Sequence, residues 1–88
     1  MAKTDSTTYE ETEKSAILES RTKIGATLRL IRENRGLSQE QPAEKMRISR
    51  STISKIESGK FNCSIDYLSR FASVLQFEII LTDSRGNF

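Results

Sequence analysis

Apolar residues recur at helical spacing over most of this chain, and the spacing changes near its end. From residue 22 to residue 35, Ile24, Leu28 and Ile31 stand at i, i+4 and i+7. Lys23, Arg29, Arg32 and Glu33 surround them, which predicts an amphipathic helix. Gly36 follows as a left-handed C-cap, and Leu37 is placed to plug a core. Residues 38–57, SQEQPAEKMRISRSTISKIE, then read as two short helices, about 39–46 and 50–58, joined by a tight turn. Ser38 and Ser49 suit their N-caps, and Gly59 closes the second. Ala43, Met46, Ile48, Ile53 and Ile56 are the apolar positions that fold the pair together. Ser64 caps a further helix over 65–75, where Ile65, Leu68, Ala72 and Leu75 recur at three- and four-residue spacing. Asp66 near its start complements the helix dipole.

The two ends behave differently. Residues 1–8 are small, polar and aperiodic, which predicts disorder. Residues 9–20 have helical propensity, a small apolar patch at Ala16, Ile17 and Leu18, and Glu10 and Lys14 at i,i+4 spacing. At the other end the period becomes two. Phe77-Glu78-Ile79-Ile80-Leu81-Thr82 is β-branched and aromatic and predicts a strand. A lone strand cannot satisfy its own backbone groups. Its own copy across a two-fold axis is the economical partner, which makes Phe77, Ile79, Ile80 and Leu81 the dimerisation residues. The expected organisation is an acidic, partly disordered or helical arm over 1–20, a helical domain over 21–76, and a dimerising strand and tail over 77–88.

Composition narrows the function. Eighty-eight residues make one domain with a modest core. No apolar run approaches the roughly 20 residues needed to cross a membrane, and the polar, acidic N-terminus is unlike a signal peptide. A cytoplasmic location is the expectation, and the single Cys63 fits a reducing compartment. Without histidine, Ser-His and Cys-His nucleophiles are excluded and a zinc site lacks ligands. No cofactor, no metal and no enzymatic activity are expected. The net charge of +2 is unevenly spread. Residues 1–20 hold two Lys against one Asp and four Glu, a net of −3, whereas residues 21–88 hold 12 basic and 7 acidic groups, a net of +5. A basic domain behind an acidic arm suits a polyanionic partner.

The second of the two short helices carries Arg50, Ser51, Ser54 and Lys55 on one face, the layout of a DNA-reading helix-turn-helix. The run ISRSTISKIESGK is specific, and residues 24–75 resemble the lambda-repressor, Cro and Xre family. With the FEIILTD segment added, the whole is most similar to the HipB- and HigA-type antitoxins. The resemblance implies an all-α, lambda-repressor-like bundle of four to five helices with one C-terminal β-strand pairing across a dimer. It implies a homodimeric, sequence-specific transcriptional repressor that binds a palindromic operator in double-stranded DNA through the major groove. It further implies an antitoxin that represses its own promoter and neutralises a cognate toxin.

Residue roles follow from the same resemblance. Gln39 matches a phosphate-gripping glutamine at a helix N-terminus. Arg50 and Ser51 match positions that meet base edges, and Ser54 and Lys55 match the next contacts into the groove. An arginine such as Arg50 can hold guanine O6 and N7 together. Thr52 matches a contact to backbone or to a thymine methyl, and Lys60 with Asn62 a second phosphate clamp. Arg32 and Glu57 match a structural salt bridge between the first and third helices. Two positions depart from the family. Pro42 replaces a customary leucine, which predicts a weakened core or a shifted helix start. Arg47 replaces a turn glycine and costs about 1 kcal/mol or more in a left-handed conformation. The alternatives are an Xre-type regulator without a toxin and a protein-interaction adaptor that reads no DNA.

Overall fold

A computed structural model describes residues 2–85, with side chains from Tyr9 onward. Its elements are α1 (Ala2–Asn34), α2 (Glu40–Met46), α3 (Arg50–Glu57) and α4 (Ile65–Leu75). α1 packs on α3, and α2 packs on both α3 and α4. The core between them is Leu28, Ala43, Met46, Ile53, Ile56, Phe71 and Leu75, all buried.

The helix ends are set by local chemistry. Gly36 takes φ +70, and the Leu37 N–H donates to the Arg32 carbonyl at 3.1 Å, closing α1 with a left-handed turn. Ser38 and Gln41 form a reciprocal capping box ahead of α2. The Ser38 N–H donates to Gln41 Oε1 at 2.8 Å, and the Gln41 N–H donates back to Ser38 Oγ at 3.3 Å. Ser49 and Ser64 cap α3 and α4, accepting from the N–H groups of Thr52 at 3.1 Å and Tyr67 at 3.2 Å.

The departures at residues 42 and 47 resolve differently. Pro42 lies in the first turn of α2, where an N–H has no partner inside the helix to lose. Its ring is fully buried, so the position still fills the core and α2 starts without a shift. Arg47 does adopt the strained conformation, at φ 55 and ψ 46. Gln76 at the end of α4 does the same at φ 61.

α1 runs unbroken for 33 residues, and the structure corrects three expectations. At about 1.5 Å per residue the helix is about 50 Å long, which accounts for the 52 Å long dimension of the molecule. The disorder expected over 1–8 is replaced by helix from Ala2, and Met1 lies outside the described residues. The strand expected over 77–82 is not formed; among the described residues no strand is present, and 77–83 is irregular. Its β-branched residues have no ladder to join in a single chain, and the pairing across a dimer is therefore not supported. Residues 86–88 of the expected tail lie outside the described residues. In α4, finally, the inward stripe runs through half-buried Leu68 and buried Phe71 and Leu75, while Ile65 is 70 % exposed.

Candidate nucleic-acid interface

α3 is a short helix whose two faces differ completely. Ile53, Ile56 and Glu57 are buried behind it, whereas Arg50, Ser51, Ser54 and Lys55 are exposed in front. The N-terminal end is fixed rather than frayed. Besides the Ser49 cap, the Ser49 and Thr52 hydroxyls are hydrogen-bonded at 2.8 Å. Thr52 is half-buried, and its hydroxyl is engaged with the cap. Lys60 is exposed beyond the helix, its backbone N–H donating to the Lys55 carbonyl at 2.8 Å.

The charge on this face is uncompensated. Ion pairs among the described residues join Lys23 to Glu19, Arg29 to Glu33 and Arg32 to Glu57. Arg47, Arg50, Lys55 and Lys60 are exposed and take part in none of them. A solvated cation cluster around an apolar-backed helix end can bind phosphate and base edges without first breaking internal contacts.

Behind the face lies a buried polar network. Arg32 Nε donates to Glu57 Oε2 at 2.7 Å and its Nη2 to Glu57 Oε1 at 3.0 Å, a two-pronged pair joining α1 to α3. Arg32 Nη1 also donates to the Leu37 carbonyl at 2.7 Å. The hydrogen bond it donates to Glu57 raises the pKa of the Arg32 guanidinium, with burial opposing it and the Glu57 and Glu33 charges adding to it. Gln39 Nε2 donates to the same Glu57 Oε1 at 3.0 Å. Gln39 is thus half-buried and oriented by Glu57; its second amide hydrogen and its carbonyl oxygen are left for an outside partner.

The structure gathers Gln39, Arg50, Ser51, Thr52, Ser54 and Lys55 around the start of α2 and the length of α3. Asn62 stands apart, lining a hollow against Ile17, Arg21 and Ile24 of α1 together with Cys63. Partial burial pushes the Cys63 thiol up, which disfavours the thiolate. Of the four expected dimerisation residues, Phe77 packs on the core, while Ile79, Ile80 and Leu81 are exposed.

Three residues that matter to the scaffold carry no strong local signal. Gly25 lies so close to α3 that a Cβ there would stand 2.3 Å from the Ile56 carbonyl oxygen. A lone glycine inside a helical pattern was the available clue. Arg35 reaches the last carbonyls of α4, donating to those of Leu75 at 3.1 Å and Gln76 at 3.0 Å. Arg70 donates to the Met46 carbonyl at the end of α2 and lies over the Tyr67 ring, 5.4 Å from its centroid.

A helix-turn-helix domain model matches residues 23–84. Among solved structures, the chain is similar to the restriction-modification controller protein C.AhdI from Aeromonas hydrophila. The two are 33% identical, with a TM-score of 0.65, over 68% of this chain and 91% of that one. No curated protein matches the chain. Among the described residues no helix is long and apolar enough to cross a membrane.

Proposed function

We propose that this chain, which belongs to the helix-turn-helix domain family and is with it a DNA-binding transcription regulator, reads a two-fold operator as a homodimer. In this reading the N-terminal half of α3 enters the major groove. Arg50 is the principal base contact, Ser51, Ser54 and Lys55 flank it, and Gln39 and Lys60 hold phosphates. The observation that carries it is the exposed, unpaired cationic face of α3 on a helix whose start is locked by Ser49 and whose back is buried. One α3 spans only a few base pairs, so useful specificity needs two half-sites about 34 Å apart.

The likeness to C.AhdI favours a controller-type regulator over an antitoxin. The antitoxin expectation leaned on the 77–82 strand, which is not formed, and no observation favours a toxin partner. Repression of its own promoter remains part of the proposal. The test is a gel-shift titration against the region upstream of its own gene, over a range of salt. Binding should weaken steeply with salt. Arg50→Ala should lose about tenfold or more in preference for the specific site, and much less in non-specific affinity. Unchanged preference in that variant would remove Arg50 from the reading face; no binding even at low salt would favour the adaptor.

A further inference from the structure

We infer that Glu57 is a positioning residue for DNA binding: it fixes the Gln39 side chain so that the amide meets a phosphate already oriented. The inference rests on the reading of Gln39 as a phosphate contact given above. It assigns the buried pair of Arg32 and Glu57 a task beyond holding α1 to α3.

The carboxylate does more than the ion pair requires. Arg32 meets both of its oxygens, Nε donating to Oε2 at 2.7 Å and Nη2 to Oε1 at 3.0 Å. That two-pronged contact is complete as a link between the two helices. Oε1 nevertheless accepts a further hydrogen bond, from Gln39 Nε2 at 3.0 Å. Among the described residues the Gln39 side chain makes no other hydrogen bond. A carboxylate paired with a guanidinium offers acceptors and no donor, so it holds the amide by its nitrogen and never by its oxygen. The end-over-end flip open to an exposed glutamine is thereby closed. Glu57 is buried, which strengthens the contact by keeping competing water away.

The backbone under Gln39 is fixed by the same arginine. Arg32 Nη1 donates to the Leu37 carbonyl at 2.7 Å, two residues ahead of Gln39. The Ser38–Gln41 capping box then brackets the residue on both sides. Gln39 itself stands just before α2 at φ −67 and ψ −29, its carbonyl accepting from the Ala43 N–H at 3.3 Å. Main chain and amide are therefore both set before any DNA arrives. The second N–H of the amide is the group that a phosphate oxygen takes. A freely rotating glutamine would lose its rotamer freedom on making that contact, whereas one held by Glu57 has lost it on folding. In this way a core carboxylate contributes to binding without touching DNA.

The test is a double-mutant cycle in DNA affinity, read by fluorescence anisotropy with the full chain and a mixed-sequence duplex at low salt. Phosphate contacts are independent of sequence, so this probe serves for any operator. Gln39→Ala should weaken binding about tenfold, the scale of a hydrogen bond to a charged group. Glu57→Gln leaves one acceptor oxygen for three donors. It should weaken binding about threefold or more by itself, and not at all once Gln39→Ala is present. Glu57→Asp keeps the charge beside Arg32 but withdraws the carboxylate from Gln39; it should behave the same way and replaces Glu57→Gln if that variant does not fold. The dependence of affinity on salt should keep its slope throughout, because no cation leaves the interface. In NMR spectra of the free wild-type chain, one Gln39 amide hydrogen should exchange more slowly than those of exposed Gln76, and the Glu57 variants should reduce that protection.

Equal losses from the Glu57 variants with and without Gln39→Ala would make the pair structural only and overturn the inference. Gln39 hydrogens that exchange as fast as those of Gln76 would do the same. Full affinity in Gln39→Ala removes the phosphate contact and this inference with it, while DNA binding through α3 stands. No binding by the wild-type chain at low salt sinks the regulatory reading as well.

Discussion

The two halves of α1 share one backbone helix and almost nothing else. Residues 21–34 are held by Gly25 against the end of α3, by the Arg32 pair to Glu57, and by Leu28 in the core. Residues 9–20 are exposed throughout and line, with Phe61 and Cys63, one open hollow against the body. Helical hydrogen bonding is continuous from one half to the other, so continuity of a helix says nothing about where its stability comes from. The body half is stabilised by packing that also positions the α3 face. The arm half is left as surface.

The largest test of that contrast removes the polar tie. Glu57→Ala leaves Arg32 buried without a counter-charge and Gln39 without its orienting partner. Breaking a buried pair by deleting one partner costs about 3–5 kcal/mol, which should show as a large loss in urea midpoint. The raised Arg32 pKa means the guanidinium stays charged: its contribution is complete below its unfolded value and fades only as pH rises through the folded one. The loss should therefore be the same at pH 6 and pH 8. A loss below about 1 kcal/mol, the scale of an exposed pair, would mean that the pair is solvated and does not anchor α1.

Next in size is the close approach. Gly25→Ala places a methyl 2.3 Å from the Ile56 carbonyl oxygen and 2.7 Å from that of Glu57. Both are backbone atoms, so α1 and α3 must separate. Overpacking of this kind costs about 1–3 kcal/mol, although alanine is the better helix former. Calorimetry should show a lowered melting temperature; a rise would mean that propensity outweighs contact at this crossing.

The opposite sign is expected at Arg47, which holds φ 55 in the turn between α2 and α3. Arg47→Gly removes a left-handed strain of about 1–2 kcal/mol and gives back part of it by loosening the unfolded chain. A net gain of about 1 kcal/mol should raise the urea midpoint. DNA affinity should fall slightly as a cation is lost from the face.

These sites also mark how far the sequence could be read. The caps at Ser38, Ser49 and Ser64 and the glycine stops at Gly36 and Gly59 are local, and each is where its residue type requires it. The polar and exposed front of α3 was legible for the same reason, because one helix turn fixes which residues share a face. What failed was non-local. The FEIILT segment has strand propensity, but a strand exists only with a partner to bond, and the single chain supplies none. The polar opening of the chain read as disorder because its residues show no apolar period, although its backbone is helical from Ala2. In α4 a stripe drawn from Ile65 missed Phe71, although Phe71 stands three residues past Leu68 and four before Leu75. Arg35 and Arg70 serve carbonyls 40 and 24 residues away, for which sequence offers no spacing rule.

The smallest effect separates the two halves of α1 most directly. Ala26 and Ser15 are both exposed on the same helix, one in each half. Glycine in an exposed helix interior costs about 1 kcal/mol relative to alanine. In Ala26→Gly that cost should appear in full as lost global stability, because residues 21–34 unfold only with the body. In Ser15→Gly, at a dilution where chains are single, global stability should move by less than about 0.5 kcal/mol, because the arm can fray while the body stays folded. Hydrogen exchange should show the complementary result: faster exchange confined to residues near 15, and none gained around Ala26. Equal losses of global stability from the two substitutions would join the arm to the cooperative unit and erase the distinction between the halves.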